Sequence, residues 1–144
     1  METVWGLVVV ALSLLCWGGQ TFSWFAPAAA AGAGLTEARA DVDSLYWADI
    51  RGEALWDTLT LWPMLVAGAL LIAGHDAWPY FGLVGSGMYL YFAGRGIVTR
   101  VIMQRQGHRI GSRQSVNTGL AALAVWGVMA AITMVAAVDA LQGA

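Results

Sequence analysis

The chain has 144 residues, of which 59% are hydrophobic and only 11% are charged. A soluble domain carries about 25% charged residues, so this composition excludes water as the main solvent and predicts an integral membrane protein. The formal net charge of -2 says little about binding partners, because the charges are distributed unevenly along the chain. Cys16 is the only cysteine, which excludes a disulfide within the chain.

Four long stretches of the chain carry no charged residue, at positions 3–36, 58–74, 77–94 and 114–138. About 20 residues of helix cross the hydrocarbon core of a bilayer. We therefore expect an all-α fold, an integral membrane four-helix bundle in a single domain. Its spans are expected at about residues 3–25, 55–74, 79–101 and 115–138. These spans use most of the chain and leave no room for a soluble catalytic domain.

The first span starts with an acidic residue, Glu2, where a cleavable signal peptide would carry lysine or arginine. We therefore expect this helix to be retained. It should end near Phe25, because Pro27 follows a tryptophan-phenylalanine pair typical of membrane interfaces. Beyond it, Thr36 could cap a short surface helix, or the segment up to Ser44 could be irregular.

The second helix is expected to begin near Asp43 or Ser44 and to end at about Ala73. Pro63 lies inside this helix and should kink it, because proline lacks a backbone N–H and clashes with the preceding turn. Residues 74–79 form a predicted tight turn, which makes the second and third helices antiparallel neighbours.

The third helix, from about Pro79 to Met103, is expected to be central, because small residues let membrane helices approach closely. These residues are Gly82, Gly85, Ser86, Gly87, Ala93, Gly94 and Gly96. Ser115 or Asn117 is expected to cap the fourth helix. The small residues of the third and fourth helices also predict a homo-oligomer or a subunit of a larger membrane complex.

All seven basic residues are arginines, and they lie in or beside the two connections that share one side of a four-span protein. They are Arg39, Arg51, Arg95, Arg100, Arg105, Arg109 and Arg113. The positive-inside rule then puts both termini on the non-cytoplasmic side, in what we expect to be a bacterial cytoplasmic membrane. The arginine-rich connection lacks interleaved aromatic residues, so its expected partners are anionic membrane lipids and not nucleic acid.

Three carboxylates, Asp49, Glu53 and Asp57, follow an i, i+4, i+8 spacing and share one stripe of the second helix. Counting helical rise from the tight turn puts Asp57 level with Arg95, and Glu53 level with Arg100. An unpaired charge at this depth costs several kcal/mol. We therefore expect these residues to form two pairs of opposite charge.

This charge cluster has two interpretations. It could only join the two helices, or it could form the floor of a pocket with aromatic walls that opens to the cytoplasmic leaflet. Such a pocket would suit an amphipathic ligand such as a quinone or a lipid. The predicted ligand-binding residues are Glu53, Trp56, Asp57, Tyr89, Tyr91, Arg95 and Arg100, with Trp62 and Phe92 as further wall residues.

Sequence motifs for other chemistry are absent. His75 and His108 are predicted on opposite membrane faces, and no cluster has metal-ligand spacing, so we expect neither haem nor metal. No phosphate loop or nucleophile with a matching base is present, which favours a non-enzymatic role. A transporter is disfavoured, because the spans show no inverted repeat and no charge near the bilayer midplane.

The layout resembles the DoxX-type families of small four-helix bacterial membrane proteins. The matching features are Pro27 and residues 34–37 after the first helix, Arg51-Gly52-Glu53 entering the second helix, and Gly94-Arg95 closing the third. The resemblance implies a four-helix bundle with an accessory role, and one member type is linked to quinone-coupled sulfur oxidation.

The topology is also similar to that of the microsomal glutathione-transferase-like (MAPEG) enzymes, which have four spans and external termini. This resemblance implies an alternative function, a trimeric enzyme in which Arg95, Arg100 and Glu53 hold an anionic thiol cofactor. The second helix of that family carries an arginine, asparagine and glutamate series. Here Asp49, Arg51 and Glu53 occupy that region without the asparagine.

Overall fold

The computed structural model describes residues 2–143. Within this range the regular elements are six helices and one 3-10 turn, Arg39–Asp41, with a single isolated β-bridge between Val42 and Ile110. The helices are α1 (Glu2–Phe25), α2 (Pro27–Gly32), α3 (Ser44–Thr60), α4 (Trp62–Ile72), α5 (Trp78–Arg105) and α6 (Arg113–Gln142). The prediction of an all-α fold is confirmed.

Three helical segments are long and apolar enough to cross a membrane: α1, the α3–α4 segment Ser44–Ile72, and α6. Helix α5 has 28 residues but is not among them, and its glycines, tyrosines and arginines lower its apolar character. Large apolar side chains such as Leu15, Val128 and Val135 are more than half exposed on the outer surfaces. Apolar outward faces are expected of helices that contact lipid.

The long helices pack in a closed ring. Helix α1 packs on α3 and α4, α4 packs on α5, and α5 packs on α6. Two indole groups close the ring between α6 and α1. Trp126 donates a hydrogen bond from Nε1 to the carbonyl oxygen of Leu12 (3.0 Å), and Trp5 donates one to Oγ1 of Thr133 (3.2 Å). Because α4 has two helical neighbours as α5 does, α5 is not the single central helix that we expected.

Glycines allow the closest helix contacts. A Cβ atom on Gly68 of α4 would lie 3.0 Å from the backbone nitrogen of Val10 in α1, and one on Gly85 of α5 would lie 2.7 Å from that of Met64 in α4. Real Cβ atoms do not approach backbone atoms this closely without displacement. These helices therefore touch backbone to backbone, as small residues permit in membrane proteins.

The second span is interrupted as Pro63 predicts. Helix α3 begins at Ser44 and ends at Thr60, Leu61 adopts a bend, and α4 begins at Trp62. Pro63 is therefore in the first turn of α4, where its missing N–H removes no intrahelical bond of that helix. The second helix starts at Ser44, where it was expected, and its second part, α4, ends at Ile72, one residue before the expected end.

The structure decides between the two alternatives for the first connection and corrects the start of α6. Thr36 caps no helix, α2 forms earlier, from Pro27, and the segment up to Ser44 is irregular apart from the 3-10 turn Arg39–Asp41. Proline at the first helical position and the following alanines favour this early start. Helix α6 begins at Arg113, earlier than predicted, and its cap is Ser112, whose Oγ accepts a hydrogen bond from the N–H of Ser115 (3.1 Å).

The two long connections, residues 33–43 and 106–112, meet at one end of the molecule, which we call the arginine end. The N–H of Asp43 donates to the carbonyl oxygen of Arg109 (2.7 Å), and Oδ2 of Asp43 accepts from the N–H of Arg109 (3.0 Å). The hydrogen bond that the Asp43 carboxylate accepts from the N–H of Arg109, together with its contact to His108, holds the pKa of Asp43 below its ordinary value. The turn at residues 73–77 lies at the opposite end, which we call the turn end.

Candidate functional site

The acidic stripe of α3 is oriented into the protein. Glu53 and Asp57 are buried, with exposed fractions of 8% and 4%, whereas Asp49 is partly exposed. Their spacing by one helical turn puts them on the same side of α3, so α5 and α1 can both contact the stripe. Buried carboxylates are expected to have a charged or hydrogen-bonded partner.

Arg95 of α5 binds two of these carboxylates. Its Nη2 pairs with Oδ1 of Asp49, and its Nη1 donates to Oε1 of Glu53 at 3.2 Å. Nη2 of Arg100 lies 3.6 Å from Oε2 of Glu53, and Nη1 of Arg100 donates to the carbonyl oxygen of Gly96 at 3.0 Å. The expected pair of Glu53 with Arg100 is therefore present.

The expected ion pair of Asp57 with Arg95 is not formed. Arg95 reaches past the level of Asp57 toward Asp49, at the arginine end. Counting helical rise locates only Cα atoms, whereas a long arginine side chain can extend several ångströms along the membrane normal toward the more polar region. The guanidinium group of Arg95 therefore lies one to two turns of α3 closer to the arginine end than the helical count predicted.

Asp57 is therefore the acid of the stripe without an ion-pair partner among the described residues. Its Oδ2 accepts no hydrogen bond there, and the side chains of Ser13, Ser86 and Tyr89 are also buried. Cys16 of α1 faces both Asp57 and Tyr89. A group of buried polar atoms thus lies between α1, α3 and α5.

A cavity of about 570 Å³ lies between α1, α3, α5 and α6, and we call it the α1–α6 cavity. Its lining is polar at one end and apolar at the other. The polar lining includes Gln20, Glu37, Glu53, Arg100 and Ser115, and the apolar lining includes Leu15, Cys16, Phe92, Leu123 and Trp126. Charged and aromatic groups therefore meet in one partly open cavity, at the seam between the first and last helices.

The arginine end of the cavity is bounded by the first connection. Oγ of Ser115 donates a hydrogen bond to Oε1 of Glu37, which ties that connection to α6. Gly111 lies against the Glu37 carboxyl group, where a Cβ atom would overlap the carboxyl atoms, and it has a φ of 121° that disfavours other residues. Glycine at position 111 therefore allows Glu37 to reach the cavity.

Arg51 is engaged elsewhere and does not join the charge cluster. Its guanidinium group donates to the carbonyl oxygens of Ser23 and Trp24, the latter at 2.8 Å, and lies 4.5 Å from the centroid of the Trp24 ring. These carbonyls belong to the last turn of α1, where a cation is favoured by the helix dipole. Arg51 thus fixes the end of α1 to α3.

The structure separates the predicted site residues into three groups. Glu53, Arg100 and Phe92 line the cavity, and Arg95 lies behind Glu53. Asp57 and Tyr89 are buried behind the cavity wall. The indole of Trp56, the phenol of Tyr91 and the indole of Trp62 face outward.

The outward position of Trp56 and Tyr91 has a simple geometric cause. Each directly precedes a buried residue, Asp57 and Phe92 respectively. Consecutive residues of an α-helix are rotated by about 100°, so neighbours in sequence do not share a face. The aromatic groups that do line the cavity are Phe92 and two that the sequence reasoning missed, Tyr46 and Trp126.

Several polar lining residues were also missed. Glu37 and Ser115 lie in or near connections, and their contact with each other joins distant parts of the chain, which no local pattern indicates. Gln20 carried a usable signal, because it is an amide inside an otherwise apolar span, and polar groups inside membrane helices usually face the protein interior.

A second hollow of about 390 Å³ lies beside the break between α3 and α4, lined by Leu59, Trp62, Pro63 and Phe81 among others. It is a shallow apolar groove with no titratable cluster. Among residues 2–143, no group of three or more histidines, cysteines or acids is arranged to hold a metal ion. Comparisons with protein family models, with curated proteins and with solved structures found no match to this chain.

Proposed function

We propose that this chain is a four-span membrane protein that binds an amphipathic ligand, a quinone or a lipid, in the α1–α6 cavity. It would act as a non-enzymatic binding protein or accessory subunit. The observation that carries this proposal is the mixed lining of the cavity, which combines the charged groups of Glu53 and Arg100 with the aromatic groups of Phe92 and Trp126. Such a combination of apolar walls and a few polar groups is typical of small-molecule sites.

In this proposal α5 is the fourth span. Its 28 residues give a rise of roughly 42 Å, enough to cross a bilayer core of about 30 Å. It packs between α4 and α6, and its three arginines lie in its half nearest the arginine end. The seven-arginine bias supports a cytoplasmic arginine end and external termini in a bacterial cytoplasmic membrane. Reporter tags that locate either terminus in the cytoplasm would contradict this orientation.

The cavity favours a neutral head group with hydrogen-bond acceptors over a charged one. The guanidinium groups of Arg95 and Arg100 are already compensated by carboxylates, so neither offers a free positive charge. Gln20 and Arg100 nevertheless retain N–H groups along the cavity. The carbonyl oxygens of a quinone ring would accept from these donors, and its flat ring would pack against Phe92 and Trp126.

The alternative of a MAPEG-like enzyme is less well supported. An anionic thiol cofactor would have to displace Glu53 from both Arg95 and Arg100, and would leave that buried carboxylate without a partner. Breaking a buried ion pair in this way costs about 3–5 kcal/mol. Glutathione is therefore the comparison ligand in the test.

The test is a thermal-unfolding assay of the detergent-solubilised protein with a short-chain quinone, a short-chain phospholipid and glutathione. We expect the quinone to raise the melting temperature, since a ligand at 100 times its Kd stabilises the folded state by about 2.7 kcal/mol. Stabilisation by the phospholipid alone would identify a lipid site instead. Stabilisation by glutathione alone would favour the enzyme and contradict our proposal.

Two leucine substitutions locate the site. Gly119 lines the cavity and has only Arg100 near its side-chain position, so Gly119→Leu should fill the cavity and abolish the ligand-dependent shift. Gly52 is exposed on α3 with nothing near its side-chain position, so Gly52→Leu is the matched control and should keep the shift. Equal shifts in both variants would exclude the α1–α6 cavity as the site.

We also propose self-association or docking to a larger membrane complex. Most small residues of α5 are buried within the chain, but Gly87 and Gly94 face outward with no atom near their side-chain positions. These two positions offer a close-approach surface for another membrane helix. Native mass spectrometry of the gently extracted protein should detect an oligomer or a retained partner, and a lone monomer without one would contradict this part.

A further inference from the structure

The charge cluster of α3 and α5 does not balance when every group is ionised. Three carboxylates, Asp49, Glu53 and Asp57, lie in the cluster with two guanidinium groups, those of Arg95 and Arg100. The nearest further arginine on α3, Arg51, is bound to the end of α1. One negative charge therefore lacks a compensating positive charge in a region shielded from water.

The unbalanced charge falls on one particular side chain. Asp49 binds Arg95, and Glu53 binds both arginines, whereas Asp57 has no ion pair among the described residues. The Asp57 side chain is only 4% exposed, and its Oδ2 accepts no hydrogen bond within residues 2–143. A buried ionised carboxylate without a partner is strongly disfavoured, and an arginine cannot lose its proton to rebalance the cluster.

Asp57 also lies deeper than helix counting indicated. It faces Cys16 of α1, which lies roughly 14 Å of helical rise before the end of that helix at Phe25. This position is well inside the hydrocarbon thickness if α1 spans the membrane. The groups that face Asp57 are Glu53 on its own helix, Cys16 on α1, and Tyr89, Arg95 and Arg100 on α5.

We propose that Asp57 is a reversible proton-binding site, which holds a proton at neutral pH and exchanges it with the arginine end through Glu53. Protonation of Asp57 makes the cluster neutral, and it converts an acceptor-only carboxylate into a group that can also donate a hydrogen bond. On release, the O–H bond of the Asp57 carboxyl group breaks and the proton passes to the Glu53 carboxylate one turn away. Glu53 lines the α1–α6 cavity, from which the proton reaches water.

The surroundings of Asp57 fit this role. The side chains of Ser13, Ser86 and Tyr89 are buried and polar. Tyr89 and Cys16 lie near the Asp57 carboxyl group and near each other. A site built only for packing would carry apolar side chains here, since the burial of polar groups costs free energy.

Infrared spectroscopy of the protein in lipid tests the proposal directly, because a protonated carboxyl group has a C=O stretch that a carboxylate lacks. We expect this band in the unmodified protein at neutral pH and its reversible loss at alkaline pH. Asp57→Asn should remove the band, and Asp41→Asn, which changes an exposed acid outside the cluster, should keep it. Absence of the band from the unmodified folded protein, or its survival in Asp57→Asn, would overturn the proposal.

A second measurement distinguishes a proton from a metal cation as the balancing charge. The melting temperature of the unmodified protein is measured in sodium chloride and in choline chloride at equal ionic strength. Equal melting temperatures support the proton, and a higher value in sodium would mean that a bound cation balances Asp57. Neither experiment uses a cavity ligand, so their outcome is independent of the proposed quinone or lipid site.

Discussion

The two ends of the molecule are held together by different forces. Toward the turn end, α4 touches α1 and α5 at Gly68 and Gly85, and the backbones meet almost directly. Toward the arginine end, the contacts are made by long charged side chains such as Arg95 and Glu53, and the α1–α6 cavity lies between the helices. Backbone contacts thus join the helices toward the turn end, whereas charged side chains join α3 to α5 beside the cavity toward the arginine end.

The comparison also explains why the cavity adjoins the acidic stripe. The α1–α6 cavity is lined by polar groups such as those of Glu53 and Arg100 and by aromatic groups such as those of Phe92 and Trp126. Because Glu53 both lines the cavity and binds Arg95, the ion pairs that join α3 to α5 also form part of the cavity wall.

The largest effect is expected from removing the arginine that binds two acids. Arg95→Ala should lower the free energy of unfolding by about 2–4 kcal/mol, because Glu53 is buried and Asp49 also loses its partner. We expect a loss near the lower end of this range, because about a third of the Arg95 side chain is exposed and solvent weakens its ion pairs. Reversible unfolding of both proteins in detergent measures this difference in the free energy of unfolding.

The control for this variant is Arg109→Ala at the same end. Only the backbone of Arg109 contacts Asp43, so its truncation should change stability by less than about 0.5 kcal/mol. Equal losses in the two variants would show that the ion pairs add nothing to the arginine end, and the comparison of the two ends would fail.

The turn end should respond to a single added methyl group. Gly85→Ala puts a Cβ atom 2.7 Å from the backbone nitrogen of Met64, so α4 and α5 must separate, at a cost of about 1–3 kcal/mol. Gly52→Ala on the exposed face of α3 is the control and should be neutral or slightly stabilising. A neutral Gly85→Ala would mean that these helices are not in backbone contact.

A smaller effect is expected at the seam between α1 and α6. Trp126→Phe keeps an aromatic ring beside the cavity but removes the hydrogen bond to the carbonyl oxygen of Leu12, which should cost about 1 kcal/mol. Trp56→Phe, on the outer surface, should cost less. If Trp56→Phe lowers the melting temperature more than Trp126→Phe does, the hydrogen bond of the Trp126 indole does not stabilise the seam.

The smallest effect concerns the connections. The lowered pKa of Asp43 means that its ionised form is favoured in the folded protein. Its contribution is therefore complete above the ordinary pKa of aspartate and is lost as the pH falls through the folded value. The difference in melting temperature between the unmodified protein and Asp43→Asn should shrink on acidification. A difference that stays constant with pH would contradict this assignment.

Much of the helical layout could be predicted from the sequence. The end of α1 before Pro27, the start of the second helix at Ser44 and its break near Pro63 all follow from local rules about proline and charge. The start of α2 was missed, because the helix propensity of the alanines was not taken into account. The start of α6 was missed, because Ser112 caps the helix instead of Ser115 or Asn117. Several residues near a helix start can act as its cap, and local rules do not decide between them.

The site was predictable only in part. The spacing of Asp49, Glu53 and Asp57 correctly indicated one stripe on α3, and Glu53 does pair with Arg100. The partner of Arg95 depends on the direction of a flexible side chain, which helical counting does not contain. The roles of Glu37 and Trp126 depend on contacts between α1, α6 and the first connection, and these arise only when the complete fold forms.

The bond from Arg51 to the last carbonyls of α1 has a consequence for access to the cavity. It joins α1 to α3 as one unit, while α5 and α6 are joined by their own extensive contact. Between these two units, the α1–α6 seam is bridged by a few side-chain bonds. In the proposed function, a hydrophobic ligand would therefore enter from the bilayer between these two units, without first passing through water.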